Sequence, residues 1–131
     1  MATVRVVAGA LVDADGRVLI AQRPVGRHLA GRWEFPGGKV GAAETEHQAL
    51  VRELHEELGI GVCGAQFCMR LTHAYPDRTI ELALWIVRDF SGQPQGLDHQ
   101  QLRWVPAAQL GQQDLLEADR PFIEALQRLL Q

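Results

Sequence analysis

Hydrophobic and polar positions change period along the chain, and each change marks an element. Residues 3–12 are valine-rich and alternate loosely, which predicts a strand. Asp13-Ala14-Asp15-Gly16 predicts a turn, and Arg17 to Gln22 the returning strand of a hairpin. Arg23 to Gly31 is a polar loop holding Pro24 and two glycines. Trp33-Glu34-Phe35 runs into an expected turn at Pro36-Gly37-Gly38, where glycine lets the backbone bend sharply and come close to a ligand. From about Thr45 to Leu58 the period becomes helical. Leu50, Val51, Leu54 and Leu58 share one arc at about 100° per residue. Thr45 and Gln48 have capping-box spacing, and Gly59 stops the helix.

Two further strands are predicted at 62–72 and 79–88, around a Tyr75-Pro76-Asp77-Arg78 turn. In the second, Ile80, Leu82, Leu84 and Ile86 alternate with Glu81, Ala83, Trp85 and Val87, so both faces are expected to be covered. Ser91 to His99 reads as a loop, Gln101 to Val105 as a short strand, and Pro106 to Gln109 as the start of a turn or short helix. Asp119 has the look of an N-cap with Pro121 in the first turn. Phe122, Ile123, Leu126, Leu129 and Leu130 then keep helical spacing to the end. Strands and helices interleave without a regular βαβ period. The class is therefore α+β or a mixed-sheet sandwich, in one domain over residues 1–131.

Composition narrows the partners. A chain of 131 residues with 47% hydrophobic content can bury a real core. Its formal net charge is −3, Lys39 is its one lysine, and its arginines are scattered. Nothing there suggests a nucleic-acid polymer or an anionic membrane as partner. Cys63 and Cys68 lie five apart on a predicted strand, hence on opposite faces. They are expected to be two buried free thiols of a reducing cytosol, without zinc-site spacing. The N-terminal segment lacks a signal layout and its apolar run is too short to span a bilayer, so the expectation is a soluble cytoplasmic protein.

The helix at 45–58 also carries Glu53, Glu56 and Glu57 on an arc adjoining its apolar stripe. Like charges this close repel one another. A hard divalent cation with oxygen ligands would relieve that repulsion; a solvated acidic face is the plain alternative. Acids at the C-terminal end of a helix also oppose its dipole, so local stability does not explain Glu56 and Glu57.

The spacing Gly38, five residues, Glu44, seven residues, Arg52-Glu53-Leu54, one residue, Glu56-Glu57, one residue, Gly59-Ile60 resembles the box of the Nudix hydrolase family. AQRP at 21–24, HLAGRWEFPGGK at 28–39, YPDR at 75–78 and the tail at 119–130 are similar to its MutT branch. The resemblance implies an α/β/α sandwich with a mixed sheet. It implies Mg²⁺, with Mn²⁺ as the alternative metal, held by Glu53, Glu56, Glu57 and the carbonyl of Gly37. It makes Arg52 the residue that orients the glutamates, Glu44 structural, and either Glu53 or Asp98 the general base. MutT-like chains usually carry glutamate at the position of Asp98, so this side chain is one methylene short; a plain loop aspartate is the other reading. His99 is expected to be a solvated loop histidine.

By the same resemblance Arg23, His28, Phe35, Asp77, Arg78 and Asp119 occupy nucleotide-pocket positions. Phe35 either flanks a base or is a core aromatic. Arg23 and Arg78 either meet phosphate or base, or are snorkelling surface arginines. The 8-oxo-dGTP-specific members usually carry asparagine at the position of Asp119. An ionised carboxylate only accepts hydrogen bonds, so it fits 8-oxoguanine only when protonated in a dry pocket. It fits the N4 amine of cytosine directly. The stretches at 98–104 and 118–121 resemble the CTP pyrophosphohydrolase branch. The implied substrate is 8-oxo-dGTP, with CTP, dCTP or a modified cytosine nucleotide as the alternative, handled by a monomer with a dimer left open. A non-catalytic nucleotide-binding module is the reading from another class.

Overall fold

The computed structural model describes residues 2–130. Among the described residues seven strands form two sheets. The larger has the order β4 (Gly37–Lys39), β1 (Ala2–Leu11), β6 (Arg78–Ser91), β5 (Gly61–Ala74). The smaller has the order β3 (Trp33–Glu34), β2 (Arg17–Gln22), β7 (Leu102–Pro106). β1 and β6 run parallel, and the other pairs are antiparallel, so the larger sheet is mixed.

The parallel pair is buried on both faces, as such pairs require. Val7 and Leu11 of β1 and Val87 of β6 pack with Ala49, Leu50, Leu54 and Leu58 of helix α1 (Glu46–Leu58). Ala8 and Ala10 of β1 and Leu82, Leu84 and Ile86 of β6 face the opposite way. They pack with Val18 and Ile20 of β2 and with Phe122 and Leu126 of helix α2 (Phe122–Leu129). The expected α/β/α layering and the two-sided burial of residues 80–87 are thus present. Short 3₁₀ turns at Ala107–Gln112 and Glu117–Asp119 link β7 to α2.

Four expectations change. The hairpin expected over residues 3–22 stops at its turn: the antiparallel bridge between Val12 and Val18 closes it, and β1 and β2 then diverge into different sheets. Gly37 and Gly38 are not turn residues but strand β4, paired with Ala8 and Val7. Neither has positive φ. A Cβ on Gly37 would strike the Val7 carbonyl oxygen, so glycine is needed there for close approach rather than for a bend. Asp119 does not cap α2; Pro121 occupies the N-cap position with no side-chain bond. Cys63 is exposed and Cys68 half-buried, both free. Register shifts between Val62 and Gly64 and between Phe67 and Met69 break the simple alternation that placed the two on opposite faces.

Candidate active site

The start of α1 sets the rotation of everything it carries. The Thr45 hydroxyl accepts from the Gln48 N–H at 3.1 Å, and the Gln48 side chain accepts from the Thr45 N–H at 3.0 Å. Gly59 closes the helix in the left-handed region at φ 72°. With Leu50, Leu54 and Leu58 buried, Glu53 and Glu57 are turned toward β4. The Gly37 N–H donates to Glu57 Oε2 at 3.0 Å. A Cβ on Gly38 would strike the Glu53 carboxyl.

Arg52 ties the box together. Its Nε and Nη2 donate to the two oxygens of Glu44 at 2.7 and 2.8 Å. Nη1 donates to Glu53 at 2.8 Å and reaches Glu56 at 3.4 Å, while Nη2 also donates to the Lys39 carbonyl at 3.0 Å. A planar fork suits this divided task. Glu44 also accepts from the Gly41 N–H at 2.7 Å. The guanidinium and that amide hold its carboxyl down at about 2. Arg52 therefore does much more than make a surface pair with Glu56, and Glu44 anchors it.

Glu57 is the electrostatic cost of the arrangement. Burial first, then the charges of Glu53 and Glu34, push its carboxyl up to about 8, against one lowering contact from Gly37. Among the described residues no three His, Cys, Asp or Glu side chains converge into a ready-made metal cage. Glu53 is drawn toward Arg52, Glu57 toward Gly37, and Glu56 is exposed. An all-oxygen set with a half-buried carboxylate still fits Mg²⁺, which uses one or two carboxylates and completes its shell with water and substrate oxygens.

Asp98 lines the same cleft as Glu53, Glu56 and Glu57, and its charge is felt at Glu57. His99 is exposed, as expected. The cleft has a volume of about 770 Å³ and continues past β4 to Arg23, His28, Phe35, Asp77, Arg78 and Asp119. Phe35 is a core aromatic that reaches the cleft wall. It is buried with its ring 6.4 Å from that of Phe122, and it also lines the cleft. Arg23 is not a snorkelling arginine: it donates to Glu34 at 2.9 Å and to the His28 carbonyl at 2.7 Å. Arg78 lies with its guanidinium carbon 5.9 Å from the centre of the Tyr75 ring.

Asp119 is 5% exposed, and its Oδ2 accepts from the Phe35 N–H at 3.1 Å. Burial and the charge of Glu34 push its carboxyl up to about 7, against the Phe35 amide and Arg23. Glu34 itself escapes a reading of the sequence. It is a half-buried acid whose carboxyl burial pushes up, against the lowering charges of Arg23 and Arg27. Its place is set by the pairing of Ala21 with Glu34, which puts it beside Arg23; no local pattern announces that.

Residues 7–125 match the NUDIX domain family. The chain is 43% identical over 123 residues to the CTP pyrophosphohydrolase of Escherichia coli (strain K12), covering 94% of this chain and 91% of that one. It is 35% identical over 129 residues to the 8-oxo-dGTP diphosphatase of the same organism, covering 98% and 100%. A solved MutT structure, from work on Aliivibrio salmonicida and Vibrio cholerae, superposes with a TM-score of 0.85 at 35% identity, covering 97% of this chain and 98% of that one. With the mixed-sheet sandwich and the intact glutamate helix already in place, these matches make the chain a member of the Nudix hydrolase family. It is an enzyme that hydrolyses phosphoanhydride bonds.

Proposed function

We propose that this protein is a Mg²⁺-dependent nucleoside triphosphate pyrophosphohydrolase, releasing a nucleoside monophosphate and pyrophosphate, with 8-oxo-dGTP as its principal substrate. It would work as a single Nudix domain, a cytoplasmic monomer that keeps oxidised nucleotides out of replication, with Mn²⁺ able to replace Mg²⁺. Its partner is the small nucleotide, not a nucleic-acid polymer or a membrane. Among the described residues no helix is long and apolar enough to cross a bilayer.

The observation that carries the reading is the segment Phe35–Lys39. The Phe35 N–H meets Asp119, the Gly37 N–H meets Glu57, and Gly38 faces Glu53. Two to three residues, at most about 7–10 Å of chain, separate a proposed base-reading end from a carboxylate end. A nucleotide lying along that segment would put its base at one end and its phosphates at the other.

A bound divalent ion would neutralise the charge of the phosphate oxygens as the anhydride breaks. Glu53, Glu56, Glu57 and the Gly37 carbonyl are the groups to hold it. Glu53 or Asp98 takes the proton of the attacking water, and Arg52 keeps Glu53 and Glu56 in place. Arg23 and Arg78 offer guanidinium to phosphate or base, His28 lines the wall, and Phe35 packs against the base plane.

At Asp119, a carboxyl that keeps its proton near neutral pH presents one donor and one acceptor. That pair matches O6 and N7–H of 8-oxoguanine. The ionised form accepts only and matches an exocyclic amine, which favours CTP, dCTP or a modified cytosine nucleotide as the second reading. The 43% identity to a CTP pyrophosphohydrolase supports that second reading.

The test is pyrophosphate release with Mg²⁺ from 8-oxo-dGTP, dGTP, CTP and 5-methyl-dCTP, compared by kcat/KM. A large preference for 8-oxo-dGTP over dGTP supports the first reading. A preference for cytosine nucleotides replaces it with the second. Nucleotide binding with no release from any of them would leave a non-catalytic binding module.

A further inference from the structure

The loop that carries Asp98 is fastened to α1. A helix leaves its last carbonyls without intrahelical partners. Here the Glu57 carbonyl accepts from the Leu97 N–H at 3.1 Å and from the Gln100 side-chain amide at 3.3 Å. The Leu58 carbonyl accepts from the Gln95 N–H at 2.9 Å. The far end is tied as well, since the Gln101 carbonyl accepts from the Gln22 N–H at 2.9 Å.

Gln100 uses both halves of its carboxamide. Nε2 donates to the Glu57 carbonyl, while Oε1 accepts from the Asp98 N–H at 2.8 Å. An amide can do both at once; neither a carboxylate nor an aliphatic side chain can. One side chain thus joins the backbone of Glu57 to the backbone of Asp98. The turn it closes is tight. His99 sits at φ 64°, uncommon for a residue other than glycine, and a Cβ on Gly96 would strike the Gln100 carbonyl oxygen.

We propose that Gln100 is a positioning residue, whose carboxamide locks the Asp98 loop onto the end of α1 and so holds the Asp98 carboxylate beside Glu57 in the cleft. This rests on the proposed pyrophosphohydrolase activity, with Asp98 taking part in it.

The experiment is a double-mutant cycle with amide exchange as an independent readout. Gln100→Leu removes both bonds. Gln100→Glu keeps the acceptor for Asp98 but loses the donor to Glu57. Each is expected to lower kcat by about 10- to 10²-fold with KM within about twofold, the scale of a small misplacement of a reacting group. In an Asp98→Asn background the same changes should cost less than about twofold, because the group they position is already gone. Hydrogen exchange of the Leu97 amide should speed up in both single variants, and that of the Asp98 amide in Gln100→Leu. Equal losses in both backgrounds, or no loss in the wild-type background, would overturn the positioning role. Unchanged amide exchange would overturn the fastening itself. A wild-type protein that releases no pyrophosphate from any nucleotide would instead defeat the proposed function, while the exchange result would still report on the bridge.

Discussion

Asp119→Asn should make the protein more stable as pH rises. In the unfolded chain this carboxyl ionises near its ordinary 3.8; in the fold it does so near 7. Between those values the unfolded state has released a proton that the folded state retains. Stability therefore falls as pH rises through that window and levels off above about 7. At about 1.4 kcal/mol per pH unit, the rise from 3.8 to about 7 corresponds to roughly 4 kcal/mol. The side chain is buried, so solvent does little to screen the effect. Asparagine does not titrate, and its carbonyl can still accept from the Phe35 N–H. The stability gain of the variant over wild type should be close to zero near pH 4 and grow to roughly 4 kcal/mol by pH 8. Urea denaturation of both proteins at several pH values measures it, and the difference between them cancels the other titrating groups. A gain that is constant with pH would show that Asp119 ionises normally in the fold, and the protonated-carboxyl account of base reading would go with it.

Other expectations concern the carboxylate end. Glu53→Gln should lower kcat by about 10²-fold or more in the pyrophosphate assay, with little change in unfolding midpoint; retained turnover would remove Glu53 from the reaction. Because Glu57 holds its proton up to about 8, a metal ion must displace that proton. Mg²⁺ affinity measured by calorimetry should rise with pH and level off near 8, and a flat profile would contradict this. Gly38→Ala should cut turnover more than stability, since its methyl group meets the Glu53 carboxyl. Gly37→Ala should instead cost about 2–4 kcal/mol in unfolding experiments, since its methyl group meets the Val7 backbone.

The box helix was legible because its signals are local. The Thr45–Gln48 cap, the apolar stripe and Gly59 all lie within one stretch of chain, and each needs only helical geometry to be read. The pairing of β1 was not legible. A valine-rich run, a turn and a second run suit a hairpin, but two-residue alternation carries no record of which sheet a strand joins. At 37 and 38 the expected turn is a strand. Glycine serves sharp bends and close approaches alike, and only the Val7 carbonyl and the Glu53 carboxyl distinguish the two. Asp119 ahead of Pro121 fits a helix cap in sequence; the Phe35 amide, far away along the chain, claims its carboxylate instead.

By itself the sequence determined the family and the acidic helix with its phase, because those depend on residue types at short fixed spacings. The tertiary structure decided what each charged group experiences. Burial beside Glu34 raises both Asp119 and Glu57. The pairing of β2 with β3 gives Arg23 its acid, and the last carbonyls of α1 capture the Asp98 loop. These depend on distances between segments remote in the chain, and electrostatics and hydrogen bonding act through those distances rather than through sequence separation.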